Sequence, residues 1–404
     1  MPSRHRATSA LIAALIAVPL VGAVPPAGAD PVGGPLASSI AVDWQRTAIR
    51  TAYVERGSAP PVGALYLAFT SLAVHDAARE AMKHGTHAAA AAVAVAAHHV
   101  LHEYFPASGA ALDADLAASL AKVPDGTKQD IGVDIGAAAA EAMIASRIGD
   151  GRNDASIVYS KPVAPGIWQP ATGGAMALPW LGFVDPVVDV PPVTLDGPDP
   201  ITSAAYAAEY AEVRDVGSVG SVTRSAEQTA IARFFSGNPV LTYRVALCNL
   251  LDQQPLGLMP TTRLFARIDA ATANAFIQTW RLKYDVGYWR PFQAIALADT
   301  DGNPATTAEA GWVPLVTNPA YSDYTSGHAA ATSPFAEVLR HTFGDDTPLV
   351  LTAGGVQRSY ATLTALEHDA LNARIWGGLH FRDAMDDGYY LGHTTAQRVI
   401  RAIR

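Results

Sequence analysis

Three short clusters in the last third of the chain combine cations, histidines and a hydroxyl at spacings that suit one anion. The first is Trp280-Arg-Leu-Lys283-Tyr-Asp-Val-Gly-Tyr-Trp-Arg290-Pro291. Lys283 and Arg290 are two helical turns apart, which puts them near one helix face. Pro291 biases Arg290 away from helical geometry, so the helix is predicted to end there and the two long cations to converge. The second cluster is Tyr321-Ser-Asp-Tyr-Thr325-Ser326-Gly327-His328. Ser-Gly-His opens a predicted helix, whose free N–H groups and positive dipole end suit an oxyanion. Glycine lets the backbone approach that ligand, and His328 adds a group that titrates near neutral pH. The third cluster is Arg374-Ile-Trp-Gly377-Gly378-Leu-His380-Phe-Arg382-Asp383. The glycine pair breaks the helix, so Arg374 and His380 flank a turn and face one cavity. Taken singly, the first two clusters read better as ordinary helix ends, with exposed cations or an N-cap serine, and the third reads also as an arginine on terminal carbonyls.

Together they supply three cations, two histidines, a serine hydroxyl and a glycine amide. That set suits a tetrahedral or trigonal-bipyramidal oxyanion such as phosphate or vanadate. It does not suit a divalent cation, which needs carboxylates or several neutral His or Cys ligands. The run Asp299, Asp301, Gly302, Asn303 has no glutamate at the later position a calcium loop requires and reads as a turn.

The ordered trio Lys-x6-Arg-Pro, Ser-Gly-His and Arg-x5-His resembles the signature of vanadium-dependent haloperoxidases, which share their site with type 2 phosphatidic acid phosphatases and bacterial acid phosphatases. Asp43-Trp44, the helix with His75-Asp76, Pro165-Gly-Ile-Trp168 and Phe343-Gly-Asp-Asp-Thr-Pro348 extend the resemblance to secreted bacterial members over most of the chain. The resemblance implies that Lys283, Arg290 and Arg374 neutralise the equatorial oxygens of vanadate and that Ser326 and the Gly327 amide hydrogen-bond to them. It also implies that His380 is the vanadium ligand and that His328 is the acid/base residue beside the apical oxygen. Vanadium at +5 would act as a Lewis acid on hydrogen peroxide, and halide would be oxidised to hypohalous acid or an equivalent that reaches an organic acceptor. Trp280 and Tyr321 occupy positions near the halide in that family, and tyrosine at 321 leaves the halide open. An acid phosphatase on the same scaffold fits the same trio, with phosphate in the site, His380 as nucleophile and His328 protonating the leaving group. The export signal, Trp280 and the N-terminal half favour the peroxidase. A binding protein without turnover has no need of His328.

Four positions depart from the family pattern. Thr325 stands where proline usually precedes Ser-Gly-His, and Ala373 where serine usually precedes the arginine. Pro334 falls within the helix after His328 and is expected to kink it. Ala384 stands where an aspartate often follows the ligand histidine, which leaves the partner of His380 open.

These clusters need a helical frame, and the composition supplies one. Half of the 404 residues are hydrophobic, 16% are charged, and Ala88–Ala97 is dominated by the best helix former. Periodicity predicts helices over 40–54, 62–82, 88–104, 112–120, 129–148, 204–213, 226–235, 240–251, 269–284, 327–343, 355–372 and 381–403. The expected fold is all-α, a layered helical bundle. Prolines between 160 and 202 forbid long regular elements, so that stretch reads as an ordered connection between an N-terminal helical half, 30–159, and a C-terminal catalytic half, 203–404. Arg4 and Arg6, the apolar run from Ala10 to Val24 and Ala27-Gly-Ala29 read as a signal peptide over 1–29, hence secretion after cleavage near Ala29. No later segment reads as a membrane span. The net charge of −9 argues against nucleic acid as a partner. Cys248, the single cysteine, lies in an apolar run and reads as buried and inert. The histidines at 75, 98, 99 and 102 read as core or surface residues. Oligomeric state is left open.

Overall fold

The computed structural model describes residues 35–404, so the leader expected over 1–29 lies outside the described residues. Five helices come first: α1 (Pro35–Ile49, continuing into a π-helical turn at Arg50–Glu55), α2 (Pro60–Ala81), α3 (Thr86–Tyr104), α4 (Gly109–Leu120) and α5 (Thr127–Ser146). The alanine run of α3 is buried from end to end, because small side chains let helices close around it. Its approach to α5 is tight: a side chain at Gly132 or Gly136 would stand 2.2 or 2.5 Å from the carbonyl oxygen of Ala88 or Ala92.

The second set of helices starts at local signals. α6 (Ala204–Gly217) is capped by Ser203, and α7 (Ala226–Phe234) by a reciprocal Ser225–Gln228 box. α8 (Pro239–Gln253) has Asn238 as cap and proline in its first turn. α9 (Leu258–Val286) is 29 residues long and packs against α1, α2, α11 and α13. It starts at Leu258 instead of the expected Asp269, since Pro260 falls in the first turn, where no intrahelical N–H bond is lost. The short α10 (Pro291–Ala296), which periodicity did not predict, follows directly on Arg290. α11 (Gly327–Phe343) runs through Pro334 to Phe343.

A correction falls after α11. The helix expected over 355–372 is replaced in its first part by a two-stranded antiparallel hairpin, β1 (Leu349–Ala353) and β2 (Val356–Tyr360), with Ala353 opposite Val356. Gly354 and Gly355 both have positive φ, +55° and +79°, as a tight two-residue hairpin turn requires. α12 (Leu363–Trp376) then starts at a Thr362 cap, and α13 (Arg382–Ala402) ends the fold. The described residues, 35–404, belong to one compact unit of helices, with this small sheet the only one among them. None of the described helices is long and apolar enough to cross a membrane.

The Pro-rich stretch is laced along α9. Asn274 receives the Val187 amide and donates to the Val188 carbonyl, Gln278 pairs with Val193 in the same way, and Trp168 N donates to Gly287 O at 2.8 Å. Trp168 is buried. A buried network of Gln45, Ser71, Arg244 and Asp269 joins α1 and α2 to α8 and α9. His75 meets Thr262 at 3.0 Å and His98 meets Asp113 at 2.8 Å, so both are engaged in packing contacts. Cys248 is buried, and burial pushes its thiol up to about 11.

Three C-terminal helices are tied by one histidine. His393 on α13 lies 3.0 Å from Glu337 on α11 and 2.9 Å from Glu367 on α12. Burial opposes its charge, but the bonds to Glu337 and Glu367 outweigh it and raise its pKa to about 9. The bond from His393 holds Glu337 down at about 2. The histidine's contribution is therefore complete below its ordinary value near 6.5 and lost as pH rises through about 9. The Glu337 contribution is complete above about 4.5 and lost as pH falls towards 2. In urea titrations, His393→Gln is expected to lose on the order of 2 kcal/mol relative to the parent between pH 5 and 6. That difference should shrink towards pH 9, and a pH-independent difference would refute the assignment.

Candidate oxyanion site

The site is built where α9, α11, α12 and α13 end or begin. Lys283 lies in the last turn of α9, Arg290 caps α10, Ser326 caps α11, Arg374 lies in the last turn of α12, and His380 sits in the turn before α13. Gly378 makes that turn possible. Its φ is +73°, and a side chain there would stand 2.5 Å from Gly217 O.

The structure brings the cations and His380 into one buried cluster. Lys283 and Arg290 are fully buried, and Arg374 and His380 are 4% and 2% exposed. Backbone carbonyls hold each cation. Lys283 Nζ donates to Ser322 O at 2.9 Å and Asp323 O at 2.8 Å. Arg290 donates to Tyr321 O and Leu379 O, both at 2.8 Å, and Arg374 donates to Phe235 O at 3.0 Å. Burial, then neighbouring positive charge, pulls Lys283 well below its ordinary value; burial is also the main cause that lowers Arg290 and brings Arg374 down to about 10.

Two guanidinium donors, Arg290 Nη2 and Arg374 Nε, are buried and have no partner. Leaving a buried charged donor unmade costs more than an ordinary hydrogen bond returns, so these atoms mark where an acceptor belongs. Ser326 stands at the head of α11. Its hydroxyl accepts from Ala329 N at 3.4 Å, which leaves its own proton to donate, and its amide is anchored on Ala384 O at 2.9 Å. The Gly327 amide is the first of α11 and has no intrahelical acceptor. This donor set fits a tetrahedral oxyanion. Among the described residues, no three His, Cys, Asp or Glu side chains are placed to hold a metal cation. Asp301 instead accepts from Asn303 N and Thr306 Oγ1 within a turn.

The two histidines differ in setting. His328 is half-buried on the first turn of α11, with Nε2 3.3 Å from Gly237 O. Burial and then the Arg374 charge drive its pKa well below the ordinary value, so it is neutral near pH 7. His380 is driven down in the same direction by burial and then by Arg290, Lys283 and Arg374. Its Nε2 lies 3.4 Å from Arg290 Nη1, and its Nδ1 lies 2.7 Å from Asp323 Oδ1.

Asp323 is the residue that sequence reasoning missed. It is fully buried beside Arg290, 3.9 Å away, and burial pushes its carboxyl up to about 7 against the pull of Arg290 and Lys283. The signal was the missing aspartate at Ala384, which required a carboxylate from elsewhere. Asp383 does not serve: it accepts from Asp199 N, and its own amide donates to Glu209.

Trp280 and Tyr321 form one wall of the site. Their rings are 5.0 Å apart, and Tyr321 lies 5.1 Å from Lys283 Nζ and 5.0 Å from the Arg290 guanidinium carbon. A side chain at Gly327 would come within 3.3 Å of the Trp280 ring, so that ring closes on the helix start. Trp280 Nε1 donates to Ala177 O, which fastens the Pro-rich stretch to the wall.

Residues 263–404 match the family described as the VCPO second helical-bundle domain. The first bacterial vanadium-dependent iodoperoxidase of known structure is similar over 91% of this chain and 96% of its own, with 19% identity and a TM-score of 0.69. An apo-type bacterial vanadium-dependent chloroperoxidase is similar over 85% of this chain and 93% of its own, with 18% identity and a TM-score of 0.67. At these identities the likeness shows the fold. No curated protein sequence matches the chain.

The unpartnered donors give a direct expectation. Arg374→Gln removes one charged donor without emptying the space, and phosphate affinity measured by calorimetry should fall roughly 10–100-fold. Unchanged affinity would mean that Arg374 does not face the anion.

Proposed function

We propose that this chain, whose residues 263–404 belong to the VCPO second helical-bundle domain family within a vanadium haloperoxidase fold, is a vanadate-dependent haloperoxidase that uses hydrogen peroxide to oxidise halide. The observation that carries this reading is the pair of buried, unpartnered guanidinium donors in the cluster that also holds Lys283 and His380. Lys283, Arg290, Arg374, Ser326 and the Gly327 amide would hold the vanadate oxygens, and His380 Nε2 would bond to vanadium. When bound, vanadate supplies a Lewis acid that polarises peroxide towards attack by halide.

The chain's own residues do the rest. The three cations neutralise an anion in a site that excludes water, where such contacts act at low dielectric. His328, kept neutral by burial and Arg374, is a base able to take a proton from peroxide and return it later. Gly237 O, an acceptor at 3.3 Å, favours a proton on Nε2, which leaves Nδ1 as the basic atom. Trp280 and Tyr321 offer an aromatic wall on the side where halide would approach. Export with cleavage after Ala29 is part of this reading; mass spectrometry of the secreted chain should find Asp30 first, and a chain that still starts at Met1 would defeat it.

The deciding assay loads the protein with vanadate and measures peroxide-dependent bromination beside phosphate-ester hydrolysis. Bromination supports the peroxidase, whereas hydrolysis alone supports the phosphatase. Within the peroxidase reading the histidines divide the work. His328→Ala should lower turnover about 10²–10⁴-fold with vanadate affinity little changed, because the cations still hold the anion. His380→Ala should weaken vanadate binding itself. Full turnover in the first variant, or parental vanadate affinity in the second, would reverse the roles.

A further inference from the structure

Arg290 fixes one end of the His380 ring. A guanidinium can only donate, so Nε2 at 3.4 Å from Arg290 Nη1 carries a lone pair and the ring proton is on Nδ1. On that side Nδ1 lies 2.7 Å from Asp323 Oδ1 as an ion-pair contact, and neither atom has a hydrogen-bond partner elsewhere in the fold to compete for it. Two independent contacts thus select the same tautomer. The ring is 2% exposed and Asp323 is fully buried, so water cannot replace either partner. Asp323 itself is held by its Phe381 amide contact at 3.4 Å and by the backbone turn whose carbonyls receive Lys283.

We propose that Asp323 is the positioning residue that holds His380 with its lone pair on Nε2, and that it thereby makes an anion site selective for vanadate over phosphate. The proposal rests on the reading of this pocket as a vanadate site. Vanadate and phosphate present the same charge and shape to Lys283, Arg290 and Arg374. They differ in that vanadium accepts a bond from a nitrogen lone pair at equilibrium. A carboxylate beside Arg290 and Lys283 works against any anion by simple charge, so its presence is a cost to phosphate and a gain only where the lone pair is used.

The two effects have opposite signs, which makes the test sharp. Asp323→Asn keeps the shape and removes the charge. Calorimetry with inorganic vanadate and with inorganic phosphate, on parent and variant, should show vanadate affinity falling about 10–100-fold while phosphate affinity holds or rises. Nitrogen-15 NMR of histidine-labelled protein without ligand should show His380 in the Nδ1–H form in the parent and a mixture of tautomers in the variant. Vanadate affinity that holds or rises with phosphate would overturn the proposal, leaving charge as the only role of Asp323. Equal losses for both anions with a lowered Tm would also overturn it, in favour of a merely structural role. If Asp323→Asn does not fold, the parent spectrum decides alone, and an Nε2–H form of His380 sinks the idea. A parent that binds phosphate but not vanadate defeats the proposed function, while the tautomer still judges Asp323.

Discussion

Three cations are buried within one cluster, and the fully buried carboxylate of Asp323 lies beside two of them, Arg290 and Lys283. Removing a charge from water costs several kcal/mol even after relaxation, and like charges add to that cost. The structure meets it with oriented backbone. Ser322, Asp323, Tyr321, Leu379 and Phe235 each turn a carbonyl to Lys283, Arg290 or Arg374. Carbonyls are free to point this way only where a helix has ended or a loop is held in place. The site therefore depends on where α9, α10, α11, α12 and α13 end or begin, and on the loops that join them. An arriving oxyanion would complete what the carbonyls begin by offering acceptors to Arg290 Nη2 and Arg374 Nε, which have none.

The rest of the molecule follows from holding those ends still. α9 carries Lys283 and packs on α1, α2, α11 and α13, so its last turn is framed by both halves of the chain. The Pro-rich stretch, unable to form long helices, gives its backbone groups to α9 side chains and to the backbone after it. Trp280 ties that stretch to the wall of the site through Ala177. The loop between α7 and α8 supplies the acceptors for Arg374 and His328, so an element far from the three motifs in sequence closes the cluster.

Much of this was legible because helix ends are local. Ser326 before Gly327, Pro291 after Arg290 and Gly377-Gly378 after Arg374 each announce a terminus, and the termini carry the chemistry. The start of α9 was not legible, since Pro260 reads as a stop until its place in the first turn is known. The hairpin was hidden because its strands, Leu349–Ala353 and Val356–Tyr360, are only five residues long, too short for a period to declare itself; Gly354-Gly355 was the available signal. Asp323 was hidden for a different reason. Its contact with His380 exists only in space, joining the loop before α11 to the turn before α13.

The departures from the family pattern become intelligible in the same terms. Thr325 Oγ1 lies 3.3 Å from Thr279 Oγ1, one helical turn before Lys283, so the loop ahead of Ser326 is tied to α9 by a contact that proline has no hydroxyl to make. Ala384 lines a small cavity with Asp199, Glu209, Asp323 and Asp383. That neighbourhood is already rich in carboxylates: burial first, then Asp383, raises Glu209 to about 8, and burial first, then Asp387, raises Asp383 to about 7. An aspartate at 384 would join groups that already resist ionisation and would repel Asp323 across the same space. With Asp323 opposite His380, alanine at 384 is the residue that keeps this cavity from gaining a further charge, while its backbone carbonyl anchors Ser326. The carboxylate has in effect moved from the helix after His380 to the loop before Ser326, where Arg290 and Lys283 favour its ionised form.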